Sequence, residues 1–522
     1  MHGGVILFRG TGADALRYAE ADRSRADDYY LSDGAGIEYA ALDASGETVT
    51  VRALSNEEYA GWVDWINPDN GERMGRSRLA GQDRLGSPRF AEMTINGPKS
   101  LSIAAALHTE VSEMLDRAQQ DAQSEIRRWL AQHSVTRVGP RGAQEIVPVE
   151  HMQVVGITHR TSRAGDPHRH IHMQVGTRVW AAGKWRALDT AAIFRQQGAI
   201  RALGTAVIAA HPELAEVLDR HGLTLDPATG EVVELQPFNG LMSKRGEQVR
   251  RNLERLEAEW KAANLGETMG PVVFSRLTAQ AWAHERPAKK PATLREEAAW
   301  LMELRDAGYD PETLRRPAPS APASFDELSV QQIASRALDR CAAGASAWTR
   351  HTVQEHATHI ITEAGVRATG QELRGLITVA TRLALEDCFS VLRAGAATPE
   401  HVAHLTSLRV VQAETELRDF LTARVPMHEP QHPDVSEAAR APGLDAGQEC
   451  AAAAIASADP LVIVEGAAGA GKTTMLGVAI EVAARHGRSG ITPAATTMAT
   501  SAATRPRRLA RAGACDPLSR FR

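Results

Sequence analysis

Residues 158–175, THRTSRAGDPHRHIHMQV, decide how the first half of the chain is interpreted, because they hold four histidines within fourteen positions. Alternate side chains of a β-strand share one face, so we expect His170 and His172 to point the same way while the apolar residues beside them face a core. Their β-carbons would lie roughly 6.5–7 Å apart. The connection from His159 to His170 is long enough for a hairpin that brings His159 alongside. Together the three imidazoles predict a site for a divalent metal ion, with open positions for phosphate oxygens.

The alternative for this stretch is a solvated polar strand face, which is the usual explanation of an isolated His-x-His pair. The third histidine and the apolar alternate face favour the metal site instead. Neutral imidazole suits zinc, manganese, iron, nickel or copper, so the identity of the metal stays open. His168 is predicted to be an exposed turn residue rather than a ligand.

Short β-type runs and amphipathic helices surround the histidines over residues 1–295, and this mixture predicts an α+β domain. The sequence RVWAAGKWRALD could form a hairpin whose Trp180 and Trp185 stack on bases, although packing beneath the turn is the better interpretation. The predicted elements are the strands VILF (5–8), VTVRAL (49–54), HMQVVGITH (151–159) and HIHMQVGTRVW (170–180), and one long helix over 101–129.

Three further segments follow this domain. Prolines and cationic residues in 296–325 predict a linker. Alanine-rich sequence with helical periodicity predicts an all-helical segment over 326–440. The last segment, 441–522, is predicted to contain a helix, a buried strand LVIVEG and a glycine-rich turn into another helix, which together make an incomplete P-loop α/β module.

The composition is that of an ordinary globular protein, with 522 residues of which 43% are apolar and 24% charged. A net charge of −5 provides no overall attraction for nucleic acid, so any such binding must come from local patches. The four cysteines have neither the spacing of a zinc cage nor that of a disulfide framework. Because the sequence has no apolar run of about 18 residues and no signal-like N-terminus, we expect a cytoplasmic protein without a membrane segment.

Five of the six tyrosines lie in the first 59 residues. A phenol is only about 0.1% ionised at pH 7, so a nucleophilic tyrosine needs a cation or a base beside it. The metal ion predicted at the histidines would meet that need, and the candidates are Tyr18, on a predicted helix, and the adjacent Tyr29 and Tyr30. The alternative for the adjacent pair is a half-buried surface position with the hydroxyls in water.

A phosphate-binding motif, GxxxxGK[ST], occurs in VIVEGAAGAGKTTML (462–476), directly after an apolar run and before a predicted helix. The backbone amides of such a loop wrap the phosphates of ATP, the lysine reaches the β- and γ-oxygens, and the threonine hydroxyl holds Mg²⁺. The residues that make this motif are Gly466, Gly469, Gly471, Lys472 and Thr473.

The acidic strand that completes the magnesium site of P-loop enzymes has no candidate in the sequence. After Lys472 the only acidic residues are Glu481 and Asp516. The final residues, 504–522, carry six arginines without apolar periodicity, and we interpret them as the end of a truncated or frameshifted module; a basic DNA-binding tail is the alternative. We therefore expect no ATPase or helicase activity from this segment.

Taken together, the tyrosines, the segment MTINGPKSLS (93–102) and the histidines resemble the two-tyrosine conjugative relaxases of the TrwC/TraI type, the MobF group of HUH endonucleases. The resemblance covers roughly 1–295 and implies a domain with an antiparallel sheet and helices. In that family the first tyrosine attacks a phosphodiester of single-stranded DNA at an origin of transfer, with accessory and coupling proteins as partners. It leaves a 5′-phosphotyrosyl strand and a free 3′-hydroxyl. The resemblance assigns this role to Tyr18 and the second strand transfer to Tyr29 or Tyr30.

The same resemblance assigns the metal to His159, His170 and His172. Two residues before the threonine of the TFSxPKS-like segment the family usually has aspartate, which orients a metal histidine and assists deprotonation of the tyrosine. Here that residue is Glu92, and the resemblance implies that its longer side chain does the same; the alternative is a surface position. Candidate contacts to DNA phosphates are Lys99, Arg160 and Arg163, with simple solvation as the alternative for the arginines. The sequence LDAGQECAAAAIAS (444–457) resembles the entry motif of superfamily 1 helicases, in which Gln448 would contact the adenine of ATP.

Three other functions remain open at this point. The first is a rolling-circle replication initiator or transposase with the same histidine motif, which the PKS-like segment and the P-loop disfavour. The second is a P-loop ATPase with an N-terminal DNA-binding module, which the missing acidic strand disfavours. The third is a degenerate relaxase that binds DNA without cutting it, which Glu92 and the truncated last module keep open.

Overall fold

The computed structural model describes residues 4–22, 36–78, 81, 85–140, 142–162, 164–264, 269–285, 294–311, 322–392, 398–425, 431–466 and 470–488. Four residues predicted to belong to a functional site lie outside the described ranges: Tyr29, Tyr30, Arg163 and Gly469. For Tyr18 the structure describes the backbone only. The chain divides into two compact units, the first formed by Met1–Arg251 and Trp282–Val410, the second by Asn252–Ala281 and Val411–Arg522.

The first unit contains an antiparallel sheet of eight strands, in the order β1-β4-β8-β7-β2-β3, with β9 and β10 joined through β7. The domain is therefore α+β, as predicted, with the histidine strands β7 and β8 in the middle of the sheet. Two small hairpins, β5–β6 and β11–β12, lie outside it. The strands are β1 (Ile6–Phe8), β2 (Ile37–Asp43), β3 (Thr48–Ala53), β4 (Phe90–Asn96), β5 (Val135–Val138), β6 (Glu145–Pro148), β7 (His151–Thr161), β8 (Pro167–Gly176), β9 (Arg178–Ala181), β10 (Lys184–Ala187), β11 (Cys388–Ser390) and β12 (Leu405–Ser407).

The described helices are numbered here in chain order. They are α1 (Gly12–Asp22), α2 (Asn56–Val63), α3 (Lys99–Leu107), α4 (Thr109–His133), α5 (Thr190–Ala210), α6 (Pro212–Arg220), α7 (Lys244–Ala263), α8 (Pro271–Ala283), α9 (Leu294–Asp306), α10 (Val330–Gly344), α11 (Arg350–Glu363), α12 (Gly370–Glu386), α13 (Leu408–Thr422), α14 (Ser436–Arg440), α15 (Ala446–Ala456) and α16 (Lys472–Arg485). None of these described helices combines the length and the apolar character that crossing a membrane requires.

The sheet buries a different hydrophobic cluster on each face, as alternation along the strands requires. Val154 and Ile171 belong to the main core, which includes residues of α3, α4 and α5. Val155 and Ile157 belong to a second cluster with residues of α1 and α2. Residues paired across antiparallel strands share a face, and His172 lies opposite Ile157. The predicted metal ligand therefore lies on the face that α1 and α2 cover.

Two predicted elements are each divided in the structure. The helix predicted over 101–129 is two helices, α3 and α4, because the backbone of His108 is extended (φ −138°, ψ 119°) and its ring stacks on His221 at 4.2 Å between centroids. The strand predicted over 170–180 is β8 and β9, divided at Thr177, whose hydroxyl donates to the carbonyl oxygen of Pro88 at 2.6 Å.

Helices α10, α11 and α12 pack into the main core of the first unit. Ile333 of α10, Ala357 of α11 and Ile377 of α12 are buried in it, and α11 packs along α5. This segment was predicted to be all-helical, and that prediction is wrong at the hairpin β11–β12. Each of its strands has only three residues, too few for a recognisable alternation of side chains.

Helix α9 occupies part of the predicted linker. Its side chains Trp300 (8% exposed) and Leu304 (1%) are buried in the main core. The linker was predicted from the prolines and cationic residues on either side of this helix. The short apolar face of the helix is not evident from the composition of such a segment.

In the second unit, α14, α15 and α16 share a small apolar cluster that includes Ala452, Met475 and Val478. The prediction of a buried strand at LVIVEG is wrong: residues 461–466 belong to no strand, and Ile463 is 80% exposed. A strand needs a neighbour to satisfy its backbone groups, and no strand occurs among the described residues from 431 to 488.

Candidate active site

The centre of the candidate site is a buried chain of hydrogen bonds that begins at Glu92 on β4. Its carboxylate accepts from Nδ1 of His172 at 3.0 Å and from Nε2 of Gln174 at 3.0 Å. Gln174 in turn accepts from the hydroxyl of Tyr59 on α2 at 2.9 Å. Glu92 is 8% exposed, so the surface alternative for this residue is wrong.

The charge of Glu92 is maintained by these partners. Burial by itself would raise the pKa of the carboxyl, but the hydrogen bond and charge of His172, with the bond from Gln174, bring the pKa below its usual value. The ionised carboxylate accepts from Nδ1 of His172, so that Nε2 is the nitrogen of this imidazole that would bind a metal.

The rings of the three predicted metal ligands form a triangle on this face. Their centroids are 5.4 Å apart for His159 and His170, 5.0 Å for His159 and His172, and 4.9 Å for His170 and His172. The hairpin register explains the grouping, because His159 lies directly opposite His170 and the irregularity in the pairing comes only after it. Three imidazoles, one of them backed by a carboxylate, are a donor set that fits a divalent metal ion.

His170 is buried, like His159. Desolvation holds the pKa of this imidazole well below its ordinary value, and the neighbouring His168, His172 and His159 lower it further. The ring is therefore neutral, which is the form that binds a metal. The prediction that His168 is an exposed turn residue is wrong, because it is the second residue of β8, partly buried, and its ring stacks on His170 at 4.5 Å.

Helix α1, which carries Tyr18, packs on the same face of the sheet. Its Ala15 is fully buried in the second cluster beside Tyr59 and Phe90. The helix follows β1, whose Ile6 lies opposite Glu92 in the adjacent strand. The backbone of Tyr18 therefore belongs to the same layer as the histidine triangle.

The turn that joins the two histidine strands is held by residues from three helices. Lys99 of α3 donates to the carbonyl oxygen of Pro167 at 2.8 Å, and Trp300 of α9 donates from Nε1 to that of Gly165 at 2.9 Å. Lys244 of α7 lies 3.5 Å from the buried carboxylate of Asp166. Sequence reasoning missed Trp300 and Lys244, since neither belongs to a motif and both are far from the histidines along the chain.

Lys99 was predicted to contact DNA, and in the structure it is a partly buried cation. Desolvation lowers the pKa of its ammonium group to about 8, against the opposing effect of Asp166. Arg160, the other described candidate for DNA contact, donates to Asp116 at 2.9 Å and keeps 26% of its side chain exposed.

The predicted hairpin at RVWAAGKWRALD is confirmed as β9–β10. Trp180 lies opposite Trp185 in its register, and the two rings meet edge to face with centroids 5.7 Å apart. Both side chains are partly buried, and Trp185 packs against the second cluster, which agrees with the packing interpretation.

In the described part of the phosphate loop, one glycine adopts a backbone conformation that other residues rarely take. Gly471 is left-handed (φ 67°), and a β-carbon there would lie 2.6 Å from Nε2 of Gln448. Lys472 donates to the carbonyl oxygen of Gly466 at 2.7 Å, and Gln448 donates to that of Ala470 at 3.0 Å. Thr473 is exposed in the first turn of α16.

Comparison with known families gives two matches. The TrwC relaxase family matches residues 12–307, more than half of the chain, and an AAA domain matches residues 443–511. A comparison with curated proteins found no match.

Among solved structures, similarity is found to conjugative relaxase TrwC in complex with oriT DNA. The metal-bound structure is 23% identical with a TM-score of 0.41, and the metal-free structure is 22% identical with a TM-score of 0.40. Each alignment covers 59% of this chain and 99% of the other.

Proposed function

The chain belongs to the TrwC relaxase family of DNA-nicking transesterases, and on this premise we propose that it cuts single-stranded DNA at an origin of transfer through the hydroxyl of Tyr18. The observation that carries the proposal is the triangle of His159, His170 and His172 with Glu92 bonded to Nδ1 of His172. We propose that it acts in the cytoplasm, where plasmid DNA is available to it.

The proposed reaction exchanges one phosphoester bond for another. The phenolic oxygen of Tyr18 gives up its proton and forms a bond to the phosphorus, while the bond from that phosphorus to the 3′-oxygen breaks. The bonding electrons leave with the 3′-oxygen, which takes a proton and becomes a free hydroxyl. The 5′ side of the DNA stays attached to Tyr18, so no external energy source is needed and the step is reversible.

The residues of the site contribute through geometry and charge. His159, His170 and His172 would hold a divalent metal ion, which supplies Lewis-acid stabilisation for the charge that develops on the phosphate oxygens. Glu92 fixes the tautomer and orientation of His172, so that Nε2 is presented to the site. Helices α1 and α2 pack on the face of the sheet that carries the histidines.

The remaining DNA-facing assignments are also proposals. Tyr29 or Tyr30 acts as the second nucleophile in strand transfer, and Arg160 and Arg163 contact phosphates close to the histidines. For Lys99 the bond to Pro167 supports a different proposal, in which it fixes the turn that carries the histidines.

We propose further that the catalytic domain is 1–295 and that 296–440 extends it. In the last segment, 441–522, the AAA match supports ATP binding by Gly466, Gly469, Gly471, Lys472 and Thr473, with Gln448 toward the adenine.

A covalent adduct assay tests the proposed nucleophile. Tyr18→Phe is mixed with single-stranded oligonucleotides that tile the origin region of the cognate plasmid, and denaturing gels reveal protein joined to DNA. We expect no adduct while oligonucleotide binding stays within about twofold, because the lost hydroxyl serves chemistry rather than phosphate contacts. Tyr29→Phe and Tyr30→Phe are the matched controls, and adduct formation by Tyr18→Phe would transfer the role to one of them.

A further inference from the structure

A second cluster of metal-binding side chains lies away from the histidine triangle, in the same compact unit. It consists of His133 at the C-terminal end of α4, His351 in the first turn of α11, and Glu400 in the loop before β12. One donor atom from each residue lies within 4.8 Å of the other two. Nδ1 of His133 is 2.7 Å from a carboxylate oxygen of Glu400.

His351 is the residue of this cluster whose ring nitrogens are buried without a hydrogen-bond partner among the described residues. The residue is 1% exposed, and neither of its ring nitrogens has a hydrogen-bond partner within the described part of the chain. Buried polar atoms are nearly always paired, because leaving them without a partner forfeits the bonds they make in water. A buried imidazole without a hydrogen-bond partner, beside another imidazole and a carboxylate, has the environment expected of a metal ligand.

The rings around the cluster restrict its movement. Trp129 of α4 lies 3.8 Å from His133 and meets the edge of His351 at 5.3 Å between centroids. The two histidine rings are themselves 5.3 Å apart and nearly perpendicular. The indole of Trp129 covers one side of the two imidazoles, and this restricts their contact with water.

We propose that His133, His351 and Glu400 form a structural site for a divalent transition metal of the zinc class, separate from the site of DNA cleavage. Two imidazoles and one carboxylate are a ligand set that zinc accepts, with water in the fourth position. Tetrahedral coordination at about 2.1 Å puts donor atoms about 3.4 Å apart. The donor separations, all within 4.8 Å, would have to shorten by at most a little over 1 Å, and the 2.7 Å contact between His133 and Glu400 would have to lengthen by about 0.7 Å.

The site would act as a cross-link within the first unit. His133 belongs to the long helix that packs under the sheet, whereas Glu400 is 267 residues further along the chain, beyond the helices that follow the predicted linker. A bound ion would tie the histidine-bearing sheet domain to α11 and to the loop before β12. Metal removal would then loosen this attachment without disturbing the histidine triangle.

Counting bound zinc in the full-length protein tests the proposal. Metal-free protein is equilibrated with Zn²⁺, desalted and measured for zinc per chain. We expect about two ions in the parent and one in His172→Ala, in which the first site is lost. The double variant His172→Ala/His351→Phe should retain none, and Zn²⁺ should no longer raise its thermal midpoint. His359→Gln, an exposed histidine on the same helix, is the matched control and should leave the count unchanged in either background.

Glu400→Gln provides a second, nearly isosteric variant at a side chain that is 43% exposed. In the His172→Ala background it should weaken zinc binding at least about tenfold. Retention of the ion by His172→Ala/His351→Phe, or absence of any ion from His172→Ala, overturns the proposal. If His351→Phe alone removes an ion and His172→Ala does not, the structural site stands and the metal assignment of the proposed function fails.

Discussion

Replacement of Glu92 with glutamine should weaken metal binding at the histidine triangle while leaving the fold intact. The carboxylate accepts two hydrogen bonds, at 3.0 Å from His172 and at 3.0 Å from Gln174. Glutamine can still accept from His172 through its amide oxygen. Its amide nitrogen would then face Nε2 of Gln174, and Gln174 can resolve that conflict by a flip, because the Tyr59 hydroxyl is able to accept as well as donate.

The expected loss of metal affinity follows from the lost negative charge, because the hydrogen bond from His172 is kept in Glu92→Gln. Groups that orient metal ligands typically contribute 10- to 100-fold to metal affinity, which is about 1.4–2.7 kcal/mol. The isosteric change and the flip of Gln174 should cost about 1 kcal/mol of unfolding free energy. Glu92→Asp, with the family's usual residue, keeps the charge and should lose less metal affinity than Glu92→Gln.

The assay is adduct formation as a function of metal concentration. For Glu92→Gln the concentration at half-maximal rate should rise about 10- to 100-fold, and saturating metal should restore most of the rate. Equal half-maximal concentrations in parent and variant would refute the role assigned to the carboxylate. A rate that stays low at saturating metal would show instead that Glu92 acts directly on the tyrosine proton.

Three further outcomes are expected. His172→Ala should abolish metal-dependent cleavage and EDTA should silence the parent reversibly, since the site requires all three imidazoles; full activity in excess EDTA would remove the metal from the reaction. Trp300→Ala removes a buried indole and its bond to Gly165, so we expect about 3–5 kcal/mol lower unfolding free energy, measured by urea denaturation, and slower adduct formation; Trp282→Ala, at an exposed tryptophan, is the control and should change neither. Lys472→Ala should abolish any binding of a fluorescent ATP analogue yet leave the adduct rate unchanged, because the tyrosines and histidines lie in the other unit; a slower adduct rate would contradict that independence.

The sequence predicted the histidine hairpin well because its information is local. Alternation along a strand determines which side chains share a face, and the spacing of His159 and His170 allows one register to bring them together. The resemblance of residues 93–102 to the family segment then drew attention to Glu92, two positions upstream. Its burial could not be inferred, since that depends on the pairing of β4 with β8.

What the sequence did not predict depends on contacts between distant parts of the chain. Trp300 looked like part of a linker, because nothing nearby shows that its indole reaches Gly165, 135 residues earlier. His133 and His351 belong to no motif, and each taken alone is an ordinary helix residue. The prediction of a strand at LVIVEG was wrong because it used local information alone. An apolar run forms a strand only where a neighbouring strand exists to pair with it.

The arrangement of the histidine hairpin also bears on the order in which the protein folds. All three proposed metal ligands lie on β7 and β8, and their strands are joined by a turn of only a few residues, so little loop-closure entropy opposes their meeting. Glu92 is 80 residues from His172 along the chain and must arrive through a long-range pairing. Contacts of such unequal range form at different rates, the local ones first. A nascent hairpin could therefore capture an ion loosely before β4 docks, and the affinity would increase when the carboxylate arrives.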